Sequence, residues 1–179
     1  MNNKKTGLFY GSSTCYTEFI SEKMCDLAGL DRTDLHNVAT SPLQVMLEYE
    51  LLIFGIPTWD YGELQEDWEA VWDELDSIDL NGKVCAIFGL GDQVGYADWF
   101  QDAIGYLYYK LLAMGAQVVG CWPNMGYDFN ESKGLTEDKA QFLGLALDEE
   151  NQPEHTDRRI ADWLEQIFSE AENLGLSLR

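Results

Sequence analysis

Basic side chains are scarce in this sequence. Its 179 residues include 11 lysines and arginines against 32 aspartates and glutamates, which gives a formal net charge of −21. Nucleic-acid binding depends chiefly on Lys and Arg side chains that neutralise phosphates. The shortage therefore argues against a nucleic-acid partner and against anionic membranes. The same charge favours attraction to proteins with basic faces.

Long apolar runs are also missing. The longest uninterrupted runs are a handful of residues, whereas a helix that spans a bilayer needs about 20. Residues 1–5 lead directly into a short apolar run, without the apolar region and cleavage site of a signal peptide. We therefore expect a cytoplasmic protein without a membrane segment.

Cysteine is infrequent and irregularly placed. The four cysteines, Cys15, Cys25, Cys85 and Cys121, form no Cys-x-x-Cys pair and have no ligand-like spacing with either histidine. We expect reduced thiols and no metal site.

What the sequence does contain is an alternation of short apolar runs with longer amphipathic segments. The strand-like runs are residues 7–10, 34–38, 51–56, 84–88 and 116–122. Helical spacing of apolar residues occurs within residues 20–28, 68–75, 100–114 and 160–167. Nearly continuous apolar strands are typical of sheets covered on both faces. The pattern predicts an α/β fold with three layers, a doubly wound sheet of five parallel strands in the order 2-1-3-4-5.

A polar stretch interrupts this scheme near the last strand. Residues 123–139 are polar and are followed by a new apolar run at 142–146. Our interpretation is that the fifth strand starts at Ala116, leaves the sheet after Trp122 and resumes at Phe142. The chain would then be a single domain, 1–179, with an insertion at approximately 123–141. The alternative is a surface loop followed by an independent sixth strand.

The segment after the first strand has the composition of a phosphate site. Its six residues are Ser12, Ser13, Thr14, Cys15, Tyr16 and Thr17, and four of them, Ser12, Ser13, Thr14 and Thr17, are serine or threonine. Hydroxyls and the backbone amides of a helix N-terminus both favour an anion, and ligands bind at the carboxyl ends of parallel strands. An ordinary Ser/Thr helix cap is the alternative. Neither a Walker A loop nor a dinucleotide fingerprint is present.

Two aromatic residues follow neighbouring strands at the same edge of the predicted sheet. Trp59 lies after the third strand, and Tyr96 lies in a glycine-rich loop after the fourth. Either ring alone is more typical of an ordinary surface or core residue. Together with the phosphate candidate they indicate a flat, phosphorylated cofactor, because two aromatic faces can sandwich a planar ligand.

Three motifs carry a resemblance to a known family. Residues 57–65 (PTWDYGELQ), 91–98 (GDQVGYAD) and 144–148 (GLALD) resemble the flavodoxins, and the resemblance covers essentially the whole chain. The interruption after Trp122 looks like the insertion of the long-chain subgroup. The phosphate loop reads Thr14-Cys15-Tyr16-Thr17 instead of the common Thr-Gly-x-Thr, and this variant is similar to the flavodoxin 2 (flavodoxin B) proteins of bacteria.

The resemblance implies a low-potential one-electron carrier with non-covalently bound FMN, and neither catalytic residues nor a metal. Trp59 and Tyr96 would cover the two faces of the flavin, and Asp92 would address its pyrimidine edge. Backbone near Asp60 and Tyr61 would rearrange to accept a hydrogen bond from flavin N5. Besides residues 12–17, the implied FMN-binding residues are Pro57, Thr58, Trp59, Asp60, Tyr61, Gly62, Gly91, Asp92, Tyr96, Gln101 and Asp148.

Some of these assignments have ordinary alternatives. Gln101 suits a helix start and Asp148 a surface carboxylate on residue type alone. At Cys15, where the family usually has glycine, we expect a negative φ and a small buried side chain.

The distribution of charge suggests the partners. Residues 60–79 contain nine acidic side chains and no basic one. We expect this face to steer basic redox proteins, such as an NADPH-dependent flavodoxin reductase and acceptor enzymes, toward a monomeric carrier.

Two other functions are alternatives for a chain with this strand pattern. A phosphoacceptor receiver domain needs Asp at the end of the third strand and Lys at the end of the fifth, but Ile56-Pro57 and Cys121-Trp122 stand there. An FMN-dependent NAD(P)H reductase would need room for nicotinamide on a flavin face, which stacking by Tyr96 would block.

Overall fold

The computed structural model of the chain describes residues 4–178, so residues 1–3, on which the expectation of no signal peptide partly rests, lie outside it. The strands are β1 (Lys4–Tyr10), β2 (Leu35–Asn37), β3 (Tyr49–Trp59), β4 (Glu63–Leu64), β5 (Val84–Leu90), β6 (Gln117–Val119), β7 (Trp122–Pro123), β8 (Gln141–Phe142) and β9 (Leu145–Leu147). The α-helices are α1 (Tyr16–Ala28), α2 (Glu66–Val71), α3 (Asp102–Ala113) and α4 (Pro153–Asn173), with short 3₁₀ turns at Arg32–Asp34, Leu43–Glu48 and Glu74–Ser77.

The strands of the main sheet run parallel in the order β2-β1-β3-β5-β6. This confirms the predicted order 2-1-3-4-5, with the short β4 added as an antiparallel partner of β3. All seven residues of β5 are buried, as expected of a central strand covered on both faces. The predicted edge strand at 34–38 is β2.

The fifth strand is interrupted, as predicted. Its first half, β6, pairs with Val84–Ala86, and its second half, β9, pairs with Phe88–Leu90. The break is wider than predicted because Trp122 and Phe142 leave the sheet and pair with each other in β7 and β8. Gly120, with φ +87°, turns the chain away after β6, and its carbonyl accepts a hydrogen bond from Trp163 Nε1 at 2.8 Å.

Helices cover both faces of the sheet and form two apolar cores. On one face α2 and α3 bury Trp68, Ile104 and Leu107 against the sheet. On the other, α1 and α4 bury residues such as Ile20 and Trp163. Two helix predictions needed correction: α2 ends at Val71 and the chain continues as a 3₁₀ turn, and α3 begins at Asp102 rather than at Phe100.

The segment between β6 and β9 folds onto the start of α3. An aromatic cluster joins them, with the ring of Phe100 5.8 Å from Tyr127, 5.1 Å from Phe129 and 5.8 Å from Phe142. Tyr127 also donates a hydrogen bond to the carbonyl of Ala146 in β9 at 2.7 Å. The segment is thereby held beside the carboxyl edge of the sheet.

Within residues 4–178, none of the helices combines the length and the apolar character that crossing a bilayer requires.

Candidate functional site

A cleft of about 290 Å³ lies at the carboxyl edge of the sheet, where ligands of doubly wound folds bind. Four chain segments meet there: the turn into α1, the end of β3, the loop after β5 and the residues after β9. The lining residues are Thr14, Tyr16, Thr17, Pro57, Thr58, Trp59, Asp60, Leu90, Gly91, Asp92, Tyr96, Glu149 and Glu150. The structure thus brings ten of the sequence-predicted site residues together in one cleft.

One end of the cleft suits an anion. It contains the N-terminus of α1, where Thr14 and Thr17 are part of the lining. Ser12 Oγ is buried, and no hydrogen-bond partner for it exists among the described residues. The backbone amide of Ser12 donates to the carboxylate of Asp67 at 3.1 Å. The Ser12 hydroxyl without a partner can donate to a phosphate group at this position. The Asp67 carboxylate occupies the neighbouring amide, and its negative charge opposes a phosphate there.

Acidic residues of α2 contact the same loop. Ser13 Oγ donates to Glu66 Oε1 at 2.9 Å, and Gln65 Nε2 donates to Ser13 Oγ at 2.9 Å. The acidic segment noted in the sequence therefore adjoins the anion end of the cleft.

The expectations for Cys15 were both wrong. Its φ is +66°, and its side chain is exposed. The chain must reverse between β1 and α1, and Cys15 takes the left-handed conformation at the helix cap that completes this reversal. Its carbonyl then accepts the bond from Phe19 N–H at 2.9 Å that starts the helix. A left-handed conformation costs a non-glycine residue roughly 1–2 kcal/mol.

Trp59 and Tyr96 form the aromatic part of the cleft lining. Trp59 is half-buried at the end of β3, and Tyr96, 42% exposed, stands on the loop after β5. Tyr61 points elsewhere: it is 69% exposed, and its ring contacts Trp99 edge-on at 5.1 Å. The two rings predicted to sandwich a flat ligand are thus brought into one cleft from different strands.

Asp92 shapes the loop that carries Tyr96. Its Oδ1 accepts bonds from the amides of Val94 at 3.0 Å and Gly95 at 2.7 Å, and from Asn151 Nδ2 at 2.8 Å. Burial acts to raise the pKa of Asp92, but the hydrogen bonds from Gly95, Asn151 and Val94 outweigh it and lower that pKa. Asp92 is therefore an ionised carboxylate at neutral pH.

Gln101 and Asp148 do not line the cleft. Both are fully buried: Gln101 Nε2 donates to the carbonyl of Leu147 at 2.8 Å, and Asp148 accepts from the amide and side chain of Gln93 at 3.1 and 2.7 Å. These contacts brace the loop after β5 against β9. Asp148 is accordingly not a surface carboxylate either.

The remaining predicted residues stand beside the lining without forming part of it. They are Ser12, Ser13, Cys15, Tyr61 and Gly62.

Three lining residues were missed from the sequence. Leu90 is the last residue of β5, while Glu149 and Glu150 come two and three residues after the end of β9. Their position at or just after the carboxyl ends of strands could have predicted that they line the cleft. The carboxylate of Glu149 accepts a hydrogen bond from Thr156 Oγ1, which ties it to α4.

The described part of the chain contains no group of three or more His, Cys, Asp or Glu side chains that could hold a metal ion. Its four cysteines are unpaired.

Comparison with known proteins places this architecture in a family. The family model described as "Flavodoxin" matches residues 8–163. The chain is 54% identical to "Flavodoxin 2" of Escherichia coli over 164 residues, covering 92% of this chain and 95% of that protein. It is 51% identical to "Flavodoxin" of a Nostoc species over 168 residues, covering 94% and 98%.

A solved structure of a flavodoxin has the same fold as this chain. The Fusobacterium nucleatum flavodoxin bound to flavin mononucleotide superimposes with a TM-score of 0.85 at 34% identity, covering 93% of this chain and 98% of that one. Sheet order, cleft and sequence similarity agree, and the chain belongs to the flavodoxin family.

Proposed function

We propose that this chain binds FMN without a covalent bond in the cleft at the carboxyl edge and works as a low-potential one-electron carrier. It is an electron-transfer protein rather than an enzyme. The observation that carries the proposal is the pairing of two aromatic side chains, Trp59 and Tyr96, with a hydroxyl-lined helix N-terminus in a single cleft. The FMN-bound flavodoxin of Fusobacterium nucleatum supports the choice of cofactor.

Different residues of the cleft would bind different parts of FMN. We assign the phosphate to residues 12–17, where Ser12 Oγ is buried without a hydrogen-bond partner from residues 4–178. Trp59 and Tyr96 would hold the flavin ring and exclude water from its faces. The loop shaped by Asp92 would meet the polar edge of the ring. Gln101 and Asp148 would act only indirectly, by bracing that loop.

The chemistry itself is supplied by the bound FMN, which exchanges single electrons. The protein contributes an electrostatic environment. Asp60, Asp92, Glu149 and Glu150 line the cleft, and ionised carboxylates there disfavour the addition of negative charge. We infer a low potential for full reduction from this arrangement.

FMN titration of the apoprotein tests the proposal. We expect the purified protein to be yellow and the apoprotein to quench FMN fluorescence on binding. Stacking on a flat ring contributes about 1–3 kcal/mol, so Trp59→Ala or Tyr96→Ala should weaken FMN binding by roughly 5- to 150-fold. Stepwise reduction should show a higher potential for full reduction in both variants.

Tyr109→Ala is the matched control, because Tyr109 is an exposed aromatic residue of α3 outside the cleft. It should bind FMN like the wild type. A colourless protein that ignores added FMN would overturn the proposal. Steady-state oxidation of NADPH by the protein alone would instead favour an NAD(P)H reductase, which the family membership does not favour.

The partners are redox proteins, namely reductases that donate electrons and enzymes that accept them. We propose that these partners have basic faces, that an NADPH-dependent flavodoxin reductase is one of them, and that the carrier is a cytoplasmic monomer. The support is electrostatic: α2 exposes acidic residues in its first turn, and two of them reach the loop at the anion end of the cleft.

Ionic strength tests this steering. The rate of electron transfer from a purified NADPH-dependent flavodoxin reductase should fall as salt increases, and Glu69→Gln/Asp73→Asn should flatten that dependence. Asp162→Asn/Glu165→Gln removes the same charge from an exposed part of α4 and serves as the control. A wild-type rate that ignores salt would refute the steering while leaving FMN binding intact.

A further inference from the structure

A buried carboxylate outside the cleft has only one of its oxygens satisfied. Asp102, the first residue of α3, has a side chain that is 1% exposed. Its Oδ1 accepts a hydrogen bond from the backbone amide of Lys133 at 2.7 Å. Its Oδ2 is buried and has no hydrogen-bond partner in the described part of the chain. Burying a carboxylate oxygen in this way is costly, so its position calls for an explanation.

The cation near this carboxylate comes from the segment between β6 and β9. Lys133 Nζ lies 3.7 Å from Asp102 Oδ2, too far for a strong hydrogen bond, and its side chain is 63% exposed. The same ammonium donates to the hydroxyl of Tyr106 at 2.8 Å. The hydrogen bond from the Lys133 backbone amide therefore fixes Asp102 more firmly than the ion pair with the Lys133 ammonium does.

The unsatisfied oxygen faces the turn that follows β3. A Cβ atom on Gly62 would stand 2.7 Å from Asp102 Oδ2 and 3.0 Å from Trp99 Cδ1. Gly62 has φ +84°, and Asp60, which lines the cleft, has φ +42°. The positive φ strains the backbone at Asp60 but not at Gly62, because glycine adopts this conformation freely. Gly62 leaves no room for a Cβ beside Asp102, so packing against Asp102 matters for the shape of the turn.

The start of α3 is also tied to the cleft at a second point. The amide of Ala103 donates to Thr58 Oγ1 at 3.0 Å, and Thr58 lines the cleft. Ala103 thus contacts the cleft wall at Thr58, while Asp102 lies against Gly62, two residues after the lining residue Asp60. Asp102 also contacts the segment that contains Lys133.

We propose that Asp102 is a positioning residue for the cofactor cleft: held by Lys133, its unsatisfied oxygen fixes the turn at residues 60–62, so that the segment after β6 sets the shape of the cleft wall. The identity of the cofactor as FMN rests on the proposed function, whereas the coupling between Asp102 and the turn does not. Protonation of the carboxyl converts an acceptor facing the turn into a donor, so the turn should respond to pH.

The charged groups around Asp102 decide where this response occurs. Burial raises the pKa of Asp102, the backbone bond and the ammonium of Lys133 oppose that rise, and Glu131 adds to it. Asp60 and Glu63 lie on the turn side, Asp98 precedes the helix, and Tyr106 follows on α3. The carboxyl should therefore titrate above the ordinary aspartate value of 3.8.

NMR of the apoprotein tests the coupling without any cofactor. Between about pH 7 and pH 4, the amide resonances of Asp60, Tyr61 and Gly62 should shift together with one midpoint above 3.8. Asp102→Asn should abolish that shared transition. Lys133→Met retains the backbone donor but removes the ammonium, and should raise the midpoint.

Asp98→Asn is the matched control, because Asp98 is close in sequence and accepts a hydrogen bond from Asn130 Nδ2 at 2.8 Å. The shared transition should persist in this variant, whereas Asp102→Asn should abolish it. If Asp102→Asn does not fold, the direction of the shift in Lys133→Met decides the matter. The proposal is wrong if the turn resonances show no shared transition, if the transition survives Asp102→Asn, or if Lys133→Met leaves the midpoint in place.

FMN titration adds a second measurement. Asp102→Asn should weaken FMN binding at pH 7 by about threefold or more, whereas Asp98→Asn should match the wild type. An NMR transition in an apoprotein that binds no FMN would refute the proposed function and retain the role of Asp102. FMN binding that is identical in wild type and Asp102→Asn would overturn the positioning role.

Discussion

Backbone conformation at single residues sets the details of the cleft. In the described part of the chain, the non-glycine residues with positive φ are Cys15, Asp60, Gln101 and Lys139. Cys15 and Asp60 belong to the two loops that bring Thr14 and Trp59 to the cleft. Their strain is tolerated because the elements on either side fix the ends of these loops.

Replacing Cys15 by glycine should stabilise the apoprotein. Glycine adopts φ +66° without the penalty of about 1–2 kcal/mol. It also loses more conformational entropy on folding, which offsets roughly 0.5–1 kcal/mol of this stabilisation. We expect a net increase of about 0.5–1 kcal/mol in the free energy of unfolding, measured by urea denaturation. Cys15→Ala removes the exposed thiol and keeps the strain, so an equal gain in that variant would contradict this explanation.

The aromatic residues of the site could be predicted from the sequence, but its buried polar residues could not. Trp59 ends one strand and Tyr96 follows another, and the carboxyl ends of these strands must meet at one edge, so the place of both rings depends on topology alone. Gln101 and Asp148 depend on side-chain direction, and their partners, Leu147 and Gln93, belong to segments far along the chain. A single sequence does not carry that information.

Tyr10 should make stability fall in strongly alkaline solution. Burial and the neighbouring Glu18 carboxylate, which accepts a hydrogen bond from its hydroxyl at 3.0 Å, raise the pKa of Tyr10 to about 12. In the unfolded chain a tyrosine ionises near pH 10. The folded protein therefore binds this proton more tightly, and the stabilisation present below about pH 10 is lost as the pH rises toward 12.

Thermal unfolding of wild type and Tyr10→Phe between about pH 8 and pH 11 checks this. The variant loses one hydrogen bond, about 1 kcal/mol, at neutral pH but should show a shallower decline above pH 10. Parallel declines in the two proteins would exclude the effect, since the other tyrosines are present in both.

At the scale of elements, sequence periodicity predicted the order of the strands but not the end of the fifth. Trp122 and Phe142 are apolar and suit a buried strand equally well. They leave the sheet because their rings pack around Phe100 and Tyr127, which they meet only once α3 is in place. Hydrophobicity alone does not distinguish these two burial sites.

Helix α3 contains Gly105, a position where helix propensity alone would favour alanine. Alanine in place of a glycine inside a helix usually gains about 0.5–1 kcal/mol. At Gly105, however, the added Cβ would collide with the backbone carbonyl of Lys133. We expect Gly105→Ala to lower the free energy of unfolding by about 1–3 kcal/mol, because the backbone of the neighbouring segment must shift.

Urea denaturation of Gly105→Ala measures this loss. Ser169→Ala, at an exposed position of α4, is the control and should be neutral or slightly stabilising. A gain of stability in Gly105→Ala would mean that the segment around Lys133 is not held against α3.

At the scale of the whole molecule, the net charge of −21 opposes folding. Like charges repel one another more in the compact state, and salt screens them over a length of about 10 Å at 0.1 M. We expect the melting temperature of the apoprotein to rise by a few degrees between about 10 and 300 mM NaCl, since 1 kcal/mol corresponds to roughly 2–4 °C at this size.

Differential scanning calorimetry across this salt range checks the expectation. Glu69→Gln/Asp73→Asn, which removes two of the exposed charges after β4, should show a smaller rise. A melting temperature that is constant or falls with salt would show that self-repulsion is not a significant term.

The pairing of β5 determines how the chain could be shortened. Ala86 pairs with Val119 and Phe88 with Leu145, which leaves a single position opposite Ile87. Gly144 lies next to this position, because a Cβ added to it would collide with the Ile87 carbonyl oxygen. A chain in which Val119 is joined directly to Gly144 would therefore keep both halves of the fifth strand in register. The two halves of the fifth strand thus have the register of one continuous strand, and the pairing of the sheet does not depend on residues 120–143.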